Sequence, residues 1–544
     1  MDYKDLANLI FPDAKPIEYY EKMYPERELK EGAIVTRFAP SPTGFVHIGG
    51  LYQALCARTA AKKTGGVFFL RVEDTDQKRE VENGVTGIIN SLKDFDMEPD
   101  EGMISETEWK GKYGPYKQSM RKEIYQAYAK YFIEMGKAYP CFCTPEDDEE
   151  RRKKQEAAGI RPGYYGVWAT CRNLTLEEMA DKIKAGNAYI IRFKSPGRED
   201  RKIQVHDLIK GKLTFPENDL DIPIIKSDGL PTYHFAHLVD DHLMRTTHVV
   251  RSDEWLSSLP LHIQLFQAAG FKPPKYCHIA PIMKNDNGNK RKLSKRKDPE
   301  AAVSYYEEMG VPADAVKEYL LNIANSNFEN WRRANKTASI NDFDFQLNKM
   351  SVSGALFDMT KLLDISKNVI SRYSAEKVYN ESYKWALKHD DELKALLDNK
   401  EYAMKVLGIE RGNQKPRKDI SKWSDVKENI IYMFEEPREF DYDKINSEAD
   451  IKKILEEYSK VFSENDDKDT WFSKIKDVAE KCGYAREVKE YKEQPEKWPG
   501  HVGDVSTVLR VTLTGRRNTP DLYEIMKVLG EKEVINRLNN VINK

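Results

Sequence analysis

Residues 34–72 constrain the fold more than any other stretch. Ile34, Val35 and Phe38 are strand formers, and Pro40, Pro42 and Gly44 break the strand with a turn. From Gly49 the chain turns helical: Leu51, Ala54, Leu55 and Arg58 keep a helical spacing, and Thr64-Gly65-Gly66 ends the helix. Val67 to Val72 is a second strand. Strand, turn, helix and strand in this order open a doubly wound parallel sheet. The start of the helix offers unpaired N–H groups and a positive dipole end, both suited to phosphate. Gly49 and Gly50 remove the Cβ atoms that would hold a nucleotide off the backbone. His47, just before the helix, can hydrogen-bond phosphate oxygens. A His-x-Gly before a helix also arises often by chance, so this stretch alone leaves a plain structural turn as the alternative.

A second stretch, Lys292-Leu293-Ser294-Lys295-Arg296, follows a run of Asn285, Asp286, Asn287, Gly288 and Asn289. That density of turn formers predicts a mobile loop. Lysines on such a loop can close over a triphosphate and offset charge on a leaving group; on charge alone, a solvated basic loop is the alternative.

Taken together and in order, Arg37-Phe38-Ala39-Pro40-Ser41-Pro42-Thr43-Gly44-Phe45-Val46-His47-Ile48-Gly49-Gly50 and the Lys292–Arg296 run resemble the two ATP-handling motifs of class I aminoacyl-tRNA synthetases. Leu70-Arg71-Val72-Glu73-Asp74-Thr75-Asp76 is similar to the glutamate-specific member of bacterial type. The resemblance implies an α/β multidomain chain: a Rossmann-type parallel-sheet catalytic domain with an α+β insertion, then an all-α C-terminal region. It implies a catalytic domain in two halves, 34–105 and 226–308, split by an acceptor-stem-binding insertion at 106–225. A helical stem-contact domain at 309–378 and a helical anticodon-binding domain at 379–544 follow. Residues 1–33 form an extension that bacterial relatives usually lack, and the sequence assigns it no function.

The resemblance also implies roles. ATP would be held by His47, Gly49, Gly50, Lys292, Ser294, Lys295 and Arg296, with His47 and Lys295 catalytic and Mg²⁺ accompanying the nucleotide. Glutamate carries two carboxylates and an ammonium, so its pocket needs arginine for the acids and an acid for the amine. Carry-over places Arg37 and Arg251 on the side-chain carboxylate and Glu73 on the α-amine, with Ala39, Ser41, Tyr233 and Trp255 completing the pocket. Tyr233–His242 and His248–Trp255 look like the family's substrate-reading strands. Relatives often carry Asn where His237 stands. A guanidinium left unpaired by neutral glutamine would cost roughly 2–5 kcal/mol, which is the physical basis of selection. The partners implied are tRNA(Glu), ATP and L-glutamate, and charging of tRNA(Gln) stays open.

Cys141-Phe142-Cys143, then Cys171, is a half-site with one further thiol; with Tyr164 or Tyr165 it can hold zinc, as some family members do, or it can be a packed knuckle. For nucleic acid, Lys415, Arg417, Lys418, Lys422, Arg510, Arg516 and Arg517 are candidate phosphate contacts. Trp423 and Tyr432 are stacking candidates, with a place in the core as the alternative.

Composition narrows the rest. A chain of 544 residues is too long for one core. Charged residues make up 32% and apolar residues 40%, which excludes a disordered chain. No apolar run nears the ~18 residues of a membrane span, and the N-terminus does not read as a signal peptide. Six scattered cysteines point to a reducing compartment, so a cytoplasmic monomer is expected. A net charge of −2 leaves nucleic-acid binding to local basic surfaces. The rival readings are a glutaminyl-tRNA synthetase, a shorter tRNA-modifying relative, a nucleotidyltransferase and an RNA-binding protein without catalysis.

Overall fold

The computed structural model describes all 544 residues except Gln77, Arg79, Lys295 and residues 443–446. The chain forms two compact units, Met1–Tyr305 with Lys317–Phe357, and Tyr306–Val316 with Asp358–Lys544.

In the first unit the strand Val35–Phe38 is buried along its whole length and pairs in parallel with Val67–Leu70. Glu101–Met103 adds in parallel and Trp109–Lys110 antiparallel. The helix between the first two strands runs Ile48–Lys63 and starts one residue before the expected Gly49. Its buried face is rich in alanine (Ala54, Ala57, Ala60 and Ala61), which lets it lie close on the sheet. Gly66 marks the tightest approach: a Cβ there would stand 1.9 Å from the Ile34 carbonyl oxygen.

A second sheet has the order His248–Ser252, Lys275–Ile279, Lys202–Asp207, Gly211–Pro216. Its first three strands are parallel, and the last closes an antiparallel hairpin. Thr247 ties the two sheets together: its N–H donates to Val35 O (2.9 Å), and the Val35 N–H donates to Thr247 Oγ1 (2.8 Å). The 202–216 hairpin lies inside the span expected as an insertion, yet it extends this second sheet. The remainder of that span carries its own antiparallel sheet, Ala138–Cys141, Ile190–Phe193 and Pro223–Ile225. The charged run at 146–156 is the solvated helix Pro145–Ala157, with only Gln155 buried.

Tyr233–His242 is not a strand. It forms the helix Tyr233–Leu243, in which Phe235 through Asp241 are all buried. Seven consecutive buried residues blur the one-sided pattern, and Tyr233, Phe235, His237 and Val239, aromatic or β-branched, alternate as a strand's would. Residues 1–33 carry two helices, Tyr3–Ile10 and Ile17–Met23. Glu21 receives hydrogen bonds from Tyr128 Oη (2.7 Å) and Arg245 NH2 (2.8 Å), and Arg27 is bidentate on Glu101. The extension is thereby folded onto the sheet, the helix Lys122–Glu134 and the C-terminal end of the Tyr233 helix.

The second unit is helical. Trp423 and Tyr432 sit in its core beside Trp385 and Val406, which settles their place against base stacking. Arg417 is buried and held by Asp419, so it does not face solvent as a phosphate contact would. The helix near the C-terminus spans Leu522–Leu529 and is capped by Asp521, which accepts from the Glu524 N–H (3.1 Å). Among the described residues no helix is long and apolar enough to cross a membrane.

Candidate active site

The first motif ends as an N-cap. His47 Nδ1 accepts from the Gly49 N–H (2.9 Å), which places the imidazole hydrogen on Nε2 and fixes the ring at the helix start. His47, Gly49, Gly50, Lys292 and Ser294 line one cavity of ≈ 560 Å³, with Tyr52, Ser252, Glu254 and Ile279–Ile282. The second motif reaches it on the hairpin Met283–Asp286 and Asn289–Lys292. Asp298 organises the hairpin end: Arg291 is bidentate on it, Lys284 lies 3.0 Å away, and the Ser294 N–H donates to it (2.8 Å). Arg296 lies on an exposed turn and does not line the cavity. Lys295 lies outside the described residues. Among the described residues the lining has a single carboxylate, Glu254, engaged by Lys292. A Mg²⁺ ion there would therefore be held mainly by nucleotide phosphates and water.

All seven residues expected around glutamate, Arg37, Ala39, Ser41, Glu73, Tyr233, Arg251 and Trp255, line a neighbouring cavity of ≈ 940 Å³. The two cavities share Gln53 and Trp255. Trp255 packs on Tyr233 with ring centroids 4.2 Å apart.

The chemistry beneath this cavity comes from residues that carried no role in the sequence reading. Asp241 receives Arg37 Nε (3.1 Å), Arg71 NH1 (2.8 Å) and Thr246 Oγ1 (3.0 Å) on one oxygen. His237 Nδ1 lies 2.7 Å from its other oxygen. Arg71 also holds Glu73 (3.1 Å), and Asp240 takes Arg121, Gln118 and Tyr125. Burial pushes the Glu73 carboxyl up, against the pull of Arg71 and Arg37. Two adjacent acids inside the apolar run Phe235–Leu243 were the available signal, because buried carboxylates require cationic partners.

Arg251 is treated differently. Its Nε donates to His278 Nε2 (2.9 Å) and its NH1 to His262 Nδ1 (3.1 Å). Its NH2 is buried and makes no hydrogen bond of good geometry among the described residues, although Tyr233 is close enough to interact with the guanidinium. Burial lowers His234 to about 4 and His237 to about 3 from an ordinary 6.5, so both are neutral at pH 7. On unfolding both regain the ordinary value and bind protons that the folded chain refuses. Stability must therefore fall as pH drops from 6.5 towards 4, by about 1.4 kcal/mol per pH unit for each histidine. Calorimetry from pH 7 to pH 5 should show the first unit's transition moving down; a midpoint that stays level would refute neutral burial.

The structure also brings the cysteine group together. Cys143 and Cys171 sulfurs are 3.7 Å apart, all three sulfurs lie within 4.8 Å of one another, and Tyr164 Oη is 3.3 Å from Cys141 Sγ and 3.4 Å from Cys143 Sγ. Thiolates about 2.3 Å from a tetrahedral zinc stand ~3.8 Å apart, close to the Cys143–Cys171 separation, so the donor set is compatible with zinc. Arg192 and Arg151 lie over the Tyr164 ring at 4.0 and 4.6 Å, positive charge that favours anionic ligands. Hydrogen bonds from Cys141 and Cys171 pull the Cys143 thiol well below its ordinary value. Cys56, Cys277 and Cys482 are buried free thiols, as expected of packed cysteines.

Comparison with known proteins matches this arrangement. A family model described as tRNA synthetases class I (E and Q), catalytic domain, covers residues 33–364. A glutamate–tRNA ligase of Clostridium perfringens (strain 13) is 51% identical over 546 residues, spanning 99% of this chain and 100% of the relative. The chain belongs to the glutamate–tRNA ligase family. A second glutamate–tRNA ligase, from Acetivibrio thermocellus, is 50% identical over the full length of both chains. A crystal structure of a glutamate tRNA ligase from Elizabethkingia meningosepticum, in complex with its amino acid, superposes with a TM-score of 0.76 at 30% identity, covering 94% of this chain and 99% of that one. An anticodon-binding-domain model matches residues 492–542, which hold the helices Val502–Thr514, Leu522–Leu529 and Glu531–Ile542. Both family relatives run the full length of this chain, so the 1–33 extension has counterparts within the family.

Proposed function

We propose that the chain joins L-glutamate to the 3′ end of tRNA(Glu) in two steps within the two adjoining cavities. The observation that carries this reading is their shared wall. Gln53 and Trp255 border both the cavity at the start of the His47 helix and the cavity holding Arg251 and Glu73. An α-carboxylate in the second cavity can thus reach an α-phosphate in the first. Attack by a carboxylate oxygen forms the bond to phosphorus, and pyrophosphate leaves with the bonding electrons. The glutamyl group then passes to the 2′-hydroxyl of the terminal adenosine and AMP leaves, with no covalent enzyme intermediate. His47 Nε2–H, the helix N-terminus, Lys292 and Lys295 stabilise phosphate charge, and positioning supplies the rest. Mg²⁺ bound with ATP adds further charge neutralisation. Glu73 takes the α-ammonium and Arg251 the side-chain carboxylate.

Charging of purified tRNA(Glu) and tRNA(Gln), each with labelled glutamate and with labelled glutamine, tests the reading. Glutamate on tRNA(Glu) alone gives a discriminating enzyme, and glutamate on both a relaxed one. Preference for glutamine would overturn the pocket assignment.

Zinc held by Cys141, Cys143, Cys171 and Tyr164 would brace the insertion. Elemental analysis should return one zinc per chain, and Cys143→Ser should lose it with a lower unfolding temperature of the insertion. Metal-free protein of unchanged stability would leave the group as a packed knuckle.

A further inference from the structure

We infer that His262, His278 and Asp207 are positioning residues that set the preference for glutamate over glutamine, because they hold Arg251 in the wall of the cavity with its positive charge uncancelled. The inference rests on the proposed glutamate site and extends it to residues behind the pocket wall.

Among the described residues, Arg37 and Arg251 line the cavity and Arg71 and Arg121 are buried behind it, bound to Asp241 and Asp240. The carboxylates that touch them are Asp240, Asp241 and Glu73, and all three go to Arg37, Arg71 and Arg121. Arg251 receives imidazoles instead. A guanidinium has only donors, so the nitrogens that face it must be unprotonated. That requirement fixes both rings. His278 carries its hydrogen on Nδ1 and donates to Asp207 Oδ2 (2.7 Å). His262 carries its hydrogen on Nε2 and donates to His234 Nδ1 (2.9 Å). Asp207 is itself pinned by the backbone N–H groups of Ile209, Lys210 and His278. Its charge sits one ring away from Arg251, and its role is to orient His278.

An imidazole nitrogen satisfies a hydrogen bond without adding a negative charge. Two of the three guanidinium nitrogens of Arg251 are occupied in this way, and the third, NH2, is buried without a hydrogen-bond partner among the described residues, on a side chain that lines the cavity. A buried cation with one uncommitted donor nitrogen favours an anion strongly over a neutral amide. A carboxylate in place of either imidazole would satisfy the same donors but cancel the charge and remove the selection.

His262→Gln and His262→Glu separate the two effects, since both side chains can accept from NH1 and only one is charged. They are compared with wild type and with His278→Leu in steady-state tRNA charging, scoring KM for glutamate, KM for ATP, kcat and the glutamate-to-glutamine ratio of kcat/KM. His262→Gln should keep KM for glutamate within about threefold. His262→Glu and His278→Leu should raise it about tenfold or more, lower the ratio comparably, and leave KM for ATP near wild type. Equal ratios in His262→Gln and His262→Glu would overturn the inference, as would a uniform loss in which both KM values and kcat worsen together. If the His278→Leu chain does not fold, Asp207→Asn carries that arm, with a rise in KM for glutamate at constant KM for ATP expected. Wild-type protein that charges no glutamate would instead refute the proposed site itself.

Discussion

Asp241→Leu should destabilise the first unit by about 3–5 kcal/mol, because it leaves the buried Arg37 without a carboxylate and takes from the buried Arg71 its nearest one. Arg37 and Arg71 are each at most 2% exposed, and both donate to Asp241. Arg71 keeps Glu73 (3.1 Å) and lies 3.8 Å from Asp240, whereas Arg37 has no other carboxylate partner among the described residues. Asp241→Asn isolates the part due to charge. Its amide keeps one accepting oxygen, and His237 can change tautomer, accepting at Nδ1 and donating from Nε2 to Tyr276 Oη, 2.9 Å away. The guanidinium groups have only donors and cannot adapt in this way. A smaller loss, about 2 kcal/mol, is therefore expected for the amide. Burial opposes the charge on Asp241, and Arg37, Arg71 and His237 outweigh it, holding the carboxyl well below the ordinary 3.8. A depressed acid contributes stability above the unfolded value and loses it as pH falls, so the leucine variant should lack that acid-sensitive component. With two units, global denaturation is not two-state. Hydrogen exchange of Val35–Phe38 and Val249–Arg251 amides reads the first unit directly; wild-type protection in the leucine variant would show that Asp241 does not hold the site together.

What could be read from residue order alone stops where side chains from distant segments meet. The His47 turn was legible because its parts are local: a strand, prolines and glycine, then helical spacing, all within thirty residues. The run 285–289 was expected as a mobile loop and is instead the end of the hairpin Met283–Asp286 and Asn289–Lys292, because turn formers mark a hairpin tip as readily as a loop. The Tyr233 helix was misread because its seven consecutive buried residues blur the one-sided pattern that distinguishes a helix from a strand. The hub at Asp241 joins residues 37, 71, 237 and 246, and the cage around Arg251 joins 207, 234, 262 and 278. Apart from the i,i+4 pair of His237 and Asp241, no spacing rule relates such positions. Each member alone is an ordinary buried histidine or acid, and only packing shows which guanidinium each one serves. The zinc-type group was half legible: Cys-x-Cys is local, but the approach of Cys171 and Tyr164 depends on how the Pro145–Ala157 helix returns the chain.

The sequence placed Arg37 and Arg251 side by side on the substrate carboxylate, and the structure gives them opposite electrostatic settings that mutation can separate. Arg37 gives its Nε and NH2 to Asp241 and its NH1 to Val250 O. Arg37→Met should therefore act mainly on the fold, leaving Asp241 short of a partner in a buried site. Among the described residues Arg251 has no carboxylate partner, and its NH2 makes no hydrogen bond. Arg251→Met removes a buried charge that the protein itself does not compensate, so the unfolding temperature should hold or rise. Glutamate binding should suffer in proportion to a lost charged contact of about 2–5 kcal/mol, a fall in kcat/KM of roughly 30- to 5,000-fold, while KM for ATP changes little. Glutamine, which offers no anion, should lose far less, so the two amino acids should converge in kcat/KM. Charging kinetics and a thermal melt on the two methionine variants decide the matter. If Arg251→Met unfolds early and Arg37→Met keeps its stability but loses glutamate, the roles are reversed and Arg37 is the residue that reads the substrate.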